Sequence, residues 1–248
     1  LAFAQSAHAG DVIWDNGSSN SLWDTSSLNW GGAAWSNGAG DGAVFGAAGI
    51  GAISVPGPIT ARSLNFTVGG YSIAGPGPLS LTNAGASTLA AGAINVDTTG
   101  NVATINTPII STVGLRSTGA GTLELAGLNS IGGTIPMAGY VTANVLVTTP
   151  ATATVSGVLR LVNGATLPST TVVALSYGTL DLGSNNVTLG GLVFNNPSLN
   201  EVTGTGTLRV NGEIHVLGDL SGAAGNVIYP TVDLGGGTQM VRVGVNTF

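Results

Sequence analysis

The chain contains no cysteine and no lysine, and only 6% of its 248 residues are charged. Soluble domains average about 25% Asp, Glu, Lys and Arg, so this charge content is unusually low. The five arginines are scattered, and with a net charge of −6 they form no basic cluster of the kind that binds nucleic acid. The missing cysteines exclude disulfides as a source of stability.

Long apolar runs are also missing. None reaches the ~18 residues of a membrane-spanning helix, and a polybasic segment for anionic lipid is absent. We therefore predict no nucleic-acid partner and no membrane-spanning segment.

What the chain has is glycine and strand-forming residues. It holds 41 glycines, and 43% of its residues are hydrophobic, mostly Ala, Val, Leu and Ile. Short apolar runs recur every ~8–12 residues between Gly, Pro, Asn and Ser, which predicts an all-β fold with short strands. That apolar content is sufficient for a packed core.

One short motif recurs and indicates how these strands are arranged. GAGTLELAG (119–127) is echoed by SYGTLDLGS (176–184) and GTGTLRVNG (204–212), and more loosely by GPGPLSLTN (75–83). The interval from Leu123 to Leu180 is close to twice the interval from Leu180 to Leu208. We therefore expect stacked coils with one coil skipped, as in a parallel β-helix, or β-solenoid.

The centre of this motif carries the charge Glu124. Its equivalents in the other copies are Asp181, Arg209 and Ser80, so the position changes sign, unlike a catalytic site. Period-2 geometry turns it toward solvent while the flanking leucines point inward. We further expect Asp181 and Arg209 to pair if they lie on adjacent coils.

The aromatic residues concentrate near one end, where Trp14, Trp23, Trp30 and Trp35 follow one another closely in the sequence. Because solenoids need atypical terminal units, we predict a Trp-rich N-terminal cap over 10–48 and β-helix repeats over 49–248. The alternative is a carbohydrate platform in which Trp23, Trp30 and Trp35 contact glycans.

The first segment, LAFAQSAHA (1–9), contains an A-x-A pattern typical of the end of a secretory signal. We interpret 1–9 as a signal-peptide remnant, with an N-terminal strand as the alternative.

Several of these segments resemble one family in their order. LWDTSSLNW (22–30), AWSNGAGDGAVFG (34–46), ARSLNFTVGGYSIAGPGPLSLT (61–82) and GLRSTGAGTLELAGLNSIGGT (114–134) are similar to the bacterial autotransporter-associated beta-strand repeat family. The resemblance extends to about Leu234. It implies a right-handed parallel β-helix of the passenger kind, at the cell surface or secreted, with a role in adhesion or surface structure. It supplies no catalytic residues.

Residues with catalytic or ligand chemistry form no convincing constellation. Paired carboxylates could cleave sugars, and the candidate acids are Asp11, Asp15, Asp24, Asp41, Glu213, Asp219 and Asp233. Glu213 and His215 could hold a metal, but no third ligand is evident. SNGAGDGAV resembles a calcium-binding nonapeptide and occurs once. We expect no enzyme activity, no cofactor and no metal.

The expected function is therefore structural or adhesive. Solenoid ends expose unpaired strand edges, which invite another chain. The final segment, QMVRVGVNTF, predicts self-association into a homo-oligomer or head-to-tail filament. Its proposed contacts are Met240, Val241, Val243, Val245 and Phe248. The alternative is a carbohydrate-binding or polysaccharide-cleaving β-helix module that engages cell-surface glycans.

Overall fold

A computed structural model describes residues 10–85, 87–131, 135–137, 140–147, 152–162, 164–196, 199–217, 225–233, 235 and 240–244. The described residues form 26 strands and no helix. In chain order these are β1 (Asp11–Trp14), β2 (Gly42–Phe45), β3 (Ala52–Ser54), β4 (Ile59–Ala61), β5 (Ser63–Phe66), β6 (Tyr71–Ala74), β7 (Leu79–Leu81), β8 (Ala93–Val96), β9 (Val102–Ile105), β10 (Ile109–Ser111), β11 (Arg116–Thr118), β12 (Thr122–Ile131), β13 (Ile135–Met137), β14 (Tyr140–Val147), β15 (Thr152–Val155), β16 (Val158–Leu161), β17 (Val172–Leu175), β18 (Thr179–Asp181), β19 (Val187–Leu189), β20 (Gly191–Phe194), β21 (Glu201–Thr203), β22 (Thr207–Val210), β23 (Ile214–Leu217), β24 (Val227–Ile228), β25 (Thr231–Asp233) and β26 (Val241–Gly244).

Every pair of neighbouring strands is parallel, and the chain coils through three columns of strands. Column A is an 11-stranded sheet in the order β1-β2-β5-β8-β11-β13-β15-β17-β20-β23-β26. The length of a coil varies, since the interval from Asp11 to its register partner Gly42 is much longer than that from Ile135 to Ala153. Most strands are three or four residues long, and β12 and β14 are the long exceptions, so the corners absorb most of this variation.

Columns B and C are joined at β12. Its first half pairs with β9 in column B, which runs β3-β6-β9-β12-β14-β16-β18-β21-β24. Its second half pairs with β10 in column C, which begins β4-β7-β10. Farther along, column C continues as the separate sheet β19-β22-β25. From β2 onward, successive coils thus pass through A, B and C in the same order, except that the coil of β15 and β16 has no described strand in column C.

The core consists of side chains stacked along the solenoid axis. In column B, Leu123, Val141, Leu159, Leu180 and Val202 are register partners on successive strands, and all are buried. The residues that flank Leu123, Leu159, Leu180 and Val202 are more exposed, as the pleat of a β-strand requires. The predicted all-β parallel β-solenoid is confirmed.

The number of coils between copies of the repeated motif differs from the prediction. Glu124 and Asp181 lie three coils apart in column B. Their positions are connected by three successive register pairs: Glu124 with Thr142, Thr142 with Arg160, and Arg160 with Asp181. Leu208 lies in column C, where β22 pairs with β19 and β25. The expectation of one skipped coil was therefore wrong, and the copies of the motif occupy two different columns.

The glycine at the third position of the motif explains why the motif recurs in both columns. A Cβ added at Gly77 would lie 2.0 Å from the Gly57 carbonyl oxygen, and one at Gly178 would lie 2.2 Å from the Val155 carbonyl oxygen. Gly206 has the same relation to Asn185, at 1.9 Å. These glycines permit a close approach between the backbones of successive coils. A corner at which the backbones of two coils come this close therefore requires glycine.

The four tryptophans pack together at the N-terminal end, with exposures of 0–2%. The ring centroids of Trp30 lie 4.9 Å from Trp23 and 4.6 Å from Trp35, and Phe45 stacks on Phe66 at 4.6 Å. This aromatic cluster continues directly into the core of the solenoid. It supports a capping role, while the boundary between residues 48 and 49 stays a prediction.

Asn37 ties this cap to the first strand of column C. Its side-chain Nδ2 donates to the Pro58 carbonyl at 2.9 Å, and its Oδ1 accepts from the Thr60 amide at 2.8 Å. One side-chain amide thus supplies the donor and the acceptor that a peptide group of a neighbouring strand would supply. The cap satisfies the sheet edge at this point without forming a strand there.

Candidate binding surface

The predicted glycan contacts Trp23, Trp30 and Trp35 are buried in the aromatic cluster. Their ring faces contact one another and Phe45, so none is available for a sugar to stack on. The sugar-contact hypothesis for these three residues gains no support from the structure and stays a prediction.

Asp11 joins the N-terminal strand to the connection between β7 and β8. Its carboxylate accepts from the Ser87 hydroxyl at 2.6 Å, from the Thr88 amide at 3.1 Å and from the Thr88 hydroxyl. Partial burial acts to raise the pKa of Asp11, but these hydrogen bonds together outweigh it and hold the pKa below the usual value. This carboxylate therefore holds together two segments that are far apart in the sequence.

The other acids of the cap bond to local backbone or are buried. Asp24 accepts from the amides of Ser26 and Ser27, at 2.9 and 2.6 Å. Burial acts to raise the pKa of Asp24, but hydrogen bonds from those two serines lower it overall. Asp15 accepts from the Gly17 amide at 2.9 Å, and buried Asp41 accepts from the Gly10 amide at 3.2 Å. The local bonds of Asp15 and Asp24 are the turn chemistry expected of Asp in such contexts, whereas the bond of Asp41 joins two segments that are far apart in the sequence.

At the C-terminal end, Glu213 pairs with Arg242 at 2.9 Å rather than with His215. His215 lies on β23 with Arg242 as its register partner. Within the described residues, no three His, Cys, Asp or Glu side chains are grouped as a metal site. Asp219 lies outside the described residues.

Glu124 faces outward between two buried leucines, as expected, and is partly exposed. It accepts a hydrogen bond of 2.8 Å from the Thr104 hydroxyl on the neighbouring coil. The expected pair of Asp181 with Arg209 was wrong. The two residues lie in different columns, and Asp181 instead pairs with Arg160 at 2.7 Å. Arg209 pairs with Asp233 at 3.2 Å.

Two of the predicted self-association residues are exposed: Met240 at 56% and Val241 at 58%. Val243 pairs through its backbone with Val216, because β26 is the last strand of column A. Val245 and Phe248 lie outside the described residues. Self-association through these residues stays a prediction.

An open groove of about 500 Å³ lies between the cap and column B. It is lined by Asn20, Ser21, Ala52, Ile53, Ser54, Ala74 and Gly75. The lining contains neither an aromatic ring nor a titratable side chain.

A different set of exposed side chains lies farther along column B. We call Tyr177, Leu199 and Tyr229 the corner surface; their exposures are 63, 62 and 64%. Tyr177 and Leu199 each stand two positions ahead of a strand of column B, and those strands align with Thr179 opposite Glu201. Tyr229 immediately follows β24 in the next coil.

Sequence reasoning missed this surface, although one signal was present. In the copy SYGTLDLGS, a tyrosine fills the position that holds Ala120, Thr205 or Pro76 in the other copies. An aromatic residue there gains no core contact, because the leucine that follows in the strand fills the interior.

No helix in the described part of the chain is long and apolar enough to cross a membrane. Comparison with known proteins finds a relative among the adhesins. The chain is 27% identical over 234 residues to the adhesin BmaC autotransporter of Brucella suis biovar 1 (strain 1330). The alignment covers 88% of this chain and 6% of that protein. No protein-family model matches the chain. No solved structure matches it.

Proposed function

We propose that this chain is a non-enzymatic adhesive β-solenoid, displayed outside a bacterial cell or secreted from it. The observation that carries the proposal is the combination of a continuous parallel solenoid with similarity, across 88% of the chain, to an autotransporter adhesin. Because the chain spans only 6% of that relative, the adhesion of the whole protein is carried over here as a proposal.

The geometry suits such a role physically. Eleven parallel strands in one column, at ~4.8 Å per strand, form a rod about 50 Å long. The cap acids bond to hydroxyls and amides, and they do not converge on a groove. A rod with engaged carboxylates is better suited to contact than to hydrolysis.

A binding assay tests this proposal. Beads coated with the purified chain, or non-adherent bacteria displaying it, should attach to host-cell or matrix-coated surfaces more than beads coated with an unfolded variant do. Leu180→Asp serves as that variant, because it places a carboxylate at a fully buried position. Equal attachment by the native chain and the variant would contradict adhesion by the folded solenoid.

We also propose that copies of the chain associate head to tail. β1 and β26 are the two terminal strands of the same sheet. Among the described residues, the outer edge of β26 pairs with no further strand, and that of β1 is bridged only at Trp14, by Trp30. Exposed Met240 and Val241 stand beside the β26 edge. An edge of this kind accepts another parallel strand, and a contact that joins unlike ends propagates without closing.

Light scattering and electron microscopy of the purified chain test this assembly. Assemblies that lengthen with concentration are expected, and Val241→Asp should shorten them because it places a charge at the contact. A chain that stays monomeric at high concentration would contradict head-to-tail association, whatever its adhesion.

A further inference from the structure

We propose that the corner surface of Tyr177, Leu199 and Tyr229 is a binding site for a neutral, hydroxyl-rich glycan. The inference deepens the proposed adhesive function, since it names a site and a class of partner for it. The three residues belong to three successive coils, ~10 Å along the axis, but Tyr229 is aligned with Thr203, at the opposite end of the column-B strands from Tyr177 and Leu199. The surface therefore crosses column B diagonally, which gives room for a short oligosaccharide laid obliquely across the rod.

The backbone at this surface is held in an unfavourable conformation. Tyr177 has a φ of 57° and Leu199 a φ of 62°, both in the left-handed region. The equivalent place ahead of β9 holds Gly100, with a φ of 91°, because glycine adopts such angles without a steric penalty. Large side chains there cost stability, and residues held in this way cluster at functional sites.

The same two side chains contribute little to the interior, because each is more than half exposed. Folding therefore does not explain why large residues stand where glycine would fit better. A contact with a partner does explain it, because tyrosine offers a rigid, amphipathic contact area with little entropy to lose. Tyr177 and Leu199 each stand two positions ahead of register-paired strands, so they begin adjacent rungs that are ~4.8 Å apart.

The surroundings select the chemistry of the partner. Thr179 and Glu201 lie between the two ends of the surface, partly exposed, and neither forms a hydrogen bond or ion pair through its side chain among the described residues. A hydroxyl and a carboxylate next to aromatic rings can bond sugar hydroxyls while the rings cover the apolar face of a sugar.

Charge decides against an acidic partner. The chain carries a net charge of −6 and no lysine, and Arg160 and Arg209 are engaged with Asp181 and Asp233. A sialylated or sulfated glycan would be repelled by this field and by the Glu201 carboxylate, whereas a neutral glycan would not.

The double variant Tyr177→Gly/Leu199→Gly tests the site with the fold preserved. Glycine fits both φ values, so we expect the melting temperature to stay within a few degrees of the native value or to rise. Binding to immobilised neutral oligosaccharides should fall by about tenfold or more, as for other aromatic contacts at the centre of an interface. Tyr229→Thr, which copies Thr203 of the coil before, should weaken binding separately.

Leu28→Ala is the matched control, because Leu28 is an exposed apolar residue on the distant cap. It should leave glycan binding unchanged. Native binding to sialylated or sulfated glycans alone would overturn the proposal, as would neutral-glycan binding that neither variant reduces. Loss of self-association in place of glycan binding would assign the corner surface to a second copy of the chain and overturn the glycan site. Adhesion to surfaces without any glycan binding would overturn this site while leaving the proposed adhesive function standing.

Discussion

The close approach between coils at Gly178 gives the sharpest test of how the repeat motif works. Gly178→Ala places a methyl group 2.2 Å from the Val155 carbonyl oxygen and 2.8 Å from its carbonyl carbon. Ordinary contact needs ~3.5 Å, so the coils must separate locally by about 1 Å. The hydrogen bonds at risk join Ser176 N to Val155 O at 2.9 Å and Thr179 N to Gly157 O at 2.8 Å.

Overpacking of this kind costs about 1–3 kcal/mol, which corresponds to about 2–12 °C in melting temperature for a chain of this size. Thermal unfolding followed by far-UV circular dichroism measures the loss. Gly38→Ala is the matched control, because a methyl group there meets no atom within 4 Å. It should change stability by less than about 0.5 kcal/mol. If Gly178→Ala and Gly38→Ala melt together with the native chain, the glycine does not set the coil spacing.

Four further predictions concern the cap and the charges. Asn37→Ala should lower the free energy of unfolding by ~1–3 kcal/mol, because the Pro58 carbonyl and the Thr60 amide lose their hydrogen-bond partner. Asn37→Asp should keep only the acceptor for the Thr60 amide. Trp30→Ala should cost ~3–5 kcal/mol in chemical denaturation and change the tryptophan emission, because the ring is buried among three others. Asp11 has a lowered pKa in the folded chain, so its contribution to folding stability is present above the pKa of the unfolded state. That contribution is lost as the pH falls through the pKa of the folded state. The native chain should therefore lose more melting temperature than Asp11→Asn between about pH 6 and about pH 3. A double-mutant cycle on Arg160 and Asp181 should give a coupling of only ~0–1 kcal/mol, since the Arg160 side chain is 47% exposed and solvent screens the pair.

Local rules of sequence were sufficient for several features. The alternation in TLEL places Leu123 and Leu125 inside and Glu124 outside, and the structure has them so. Recurring short apolar runs separated by glycine predicted an all-β fold with short strands, and the clustered tryptophans predicted an aromatic unit at one end. Each of these depends on near neighbours in the sequence, where strand geometry is the only variable.

Tertiary structure decided which residues meet across coils. The corners vary in length, and their extra residues carry no periodic signal, so the interval from Glu124 to Asp181 covers three coils instead of two. For the same reason Arg209 lies in a different column from Asp181 and pairs with Asp233.

The motif GAGTLELAG shows both what the sequence determines and what the tertiary structure decides. By itself the sequence determined that its leucines face the core and that its glutamate faces water, because a strand alternates its side chains wherever it lies. Only the stacked structure decided that Gly178 and its equivalents touch the backbone of the preceding coil, and that Tyr177 is left exposed beside them. Those contacts join residues on successive coils, and their identity follows from the length of every corner between them.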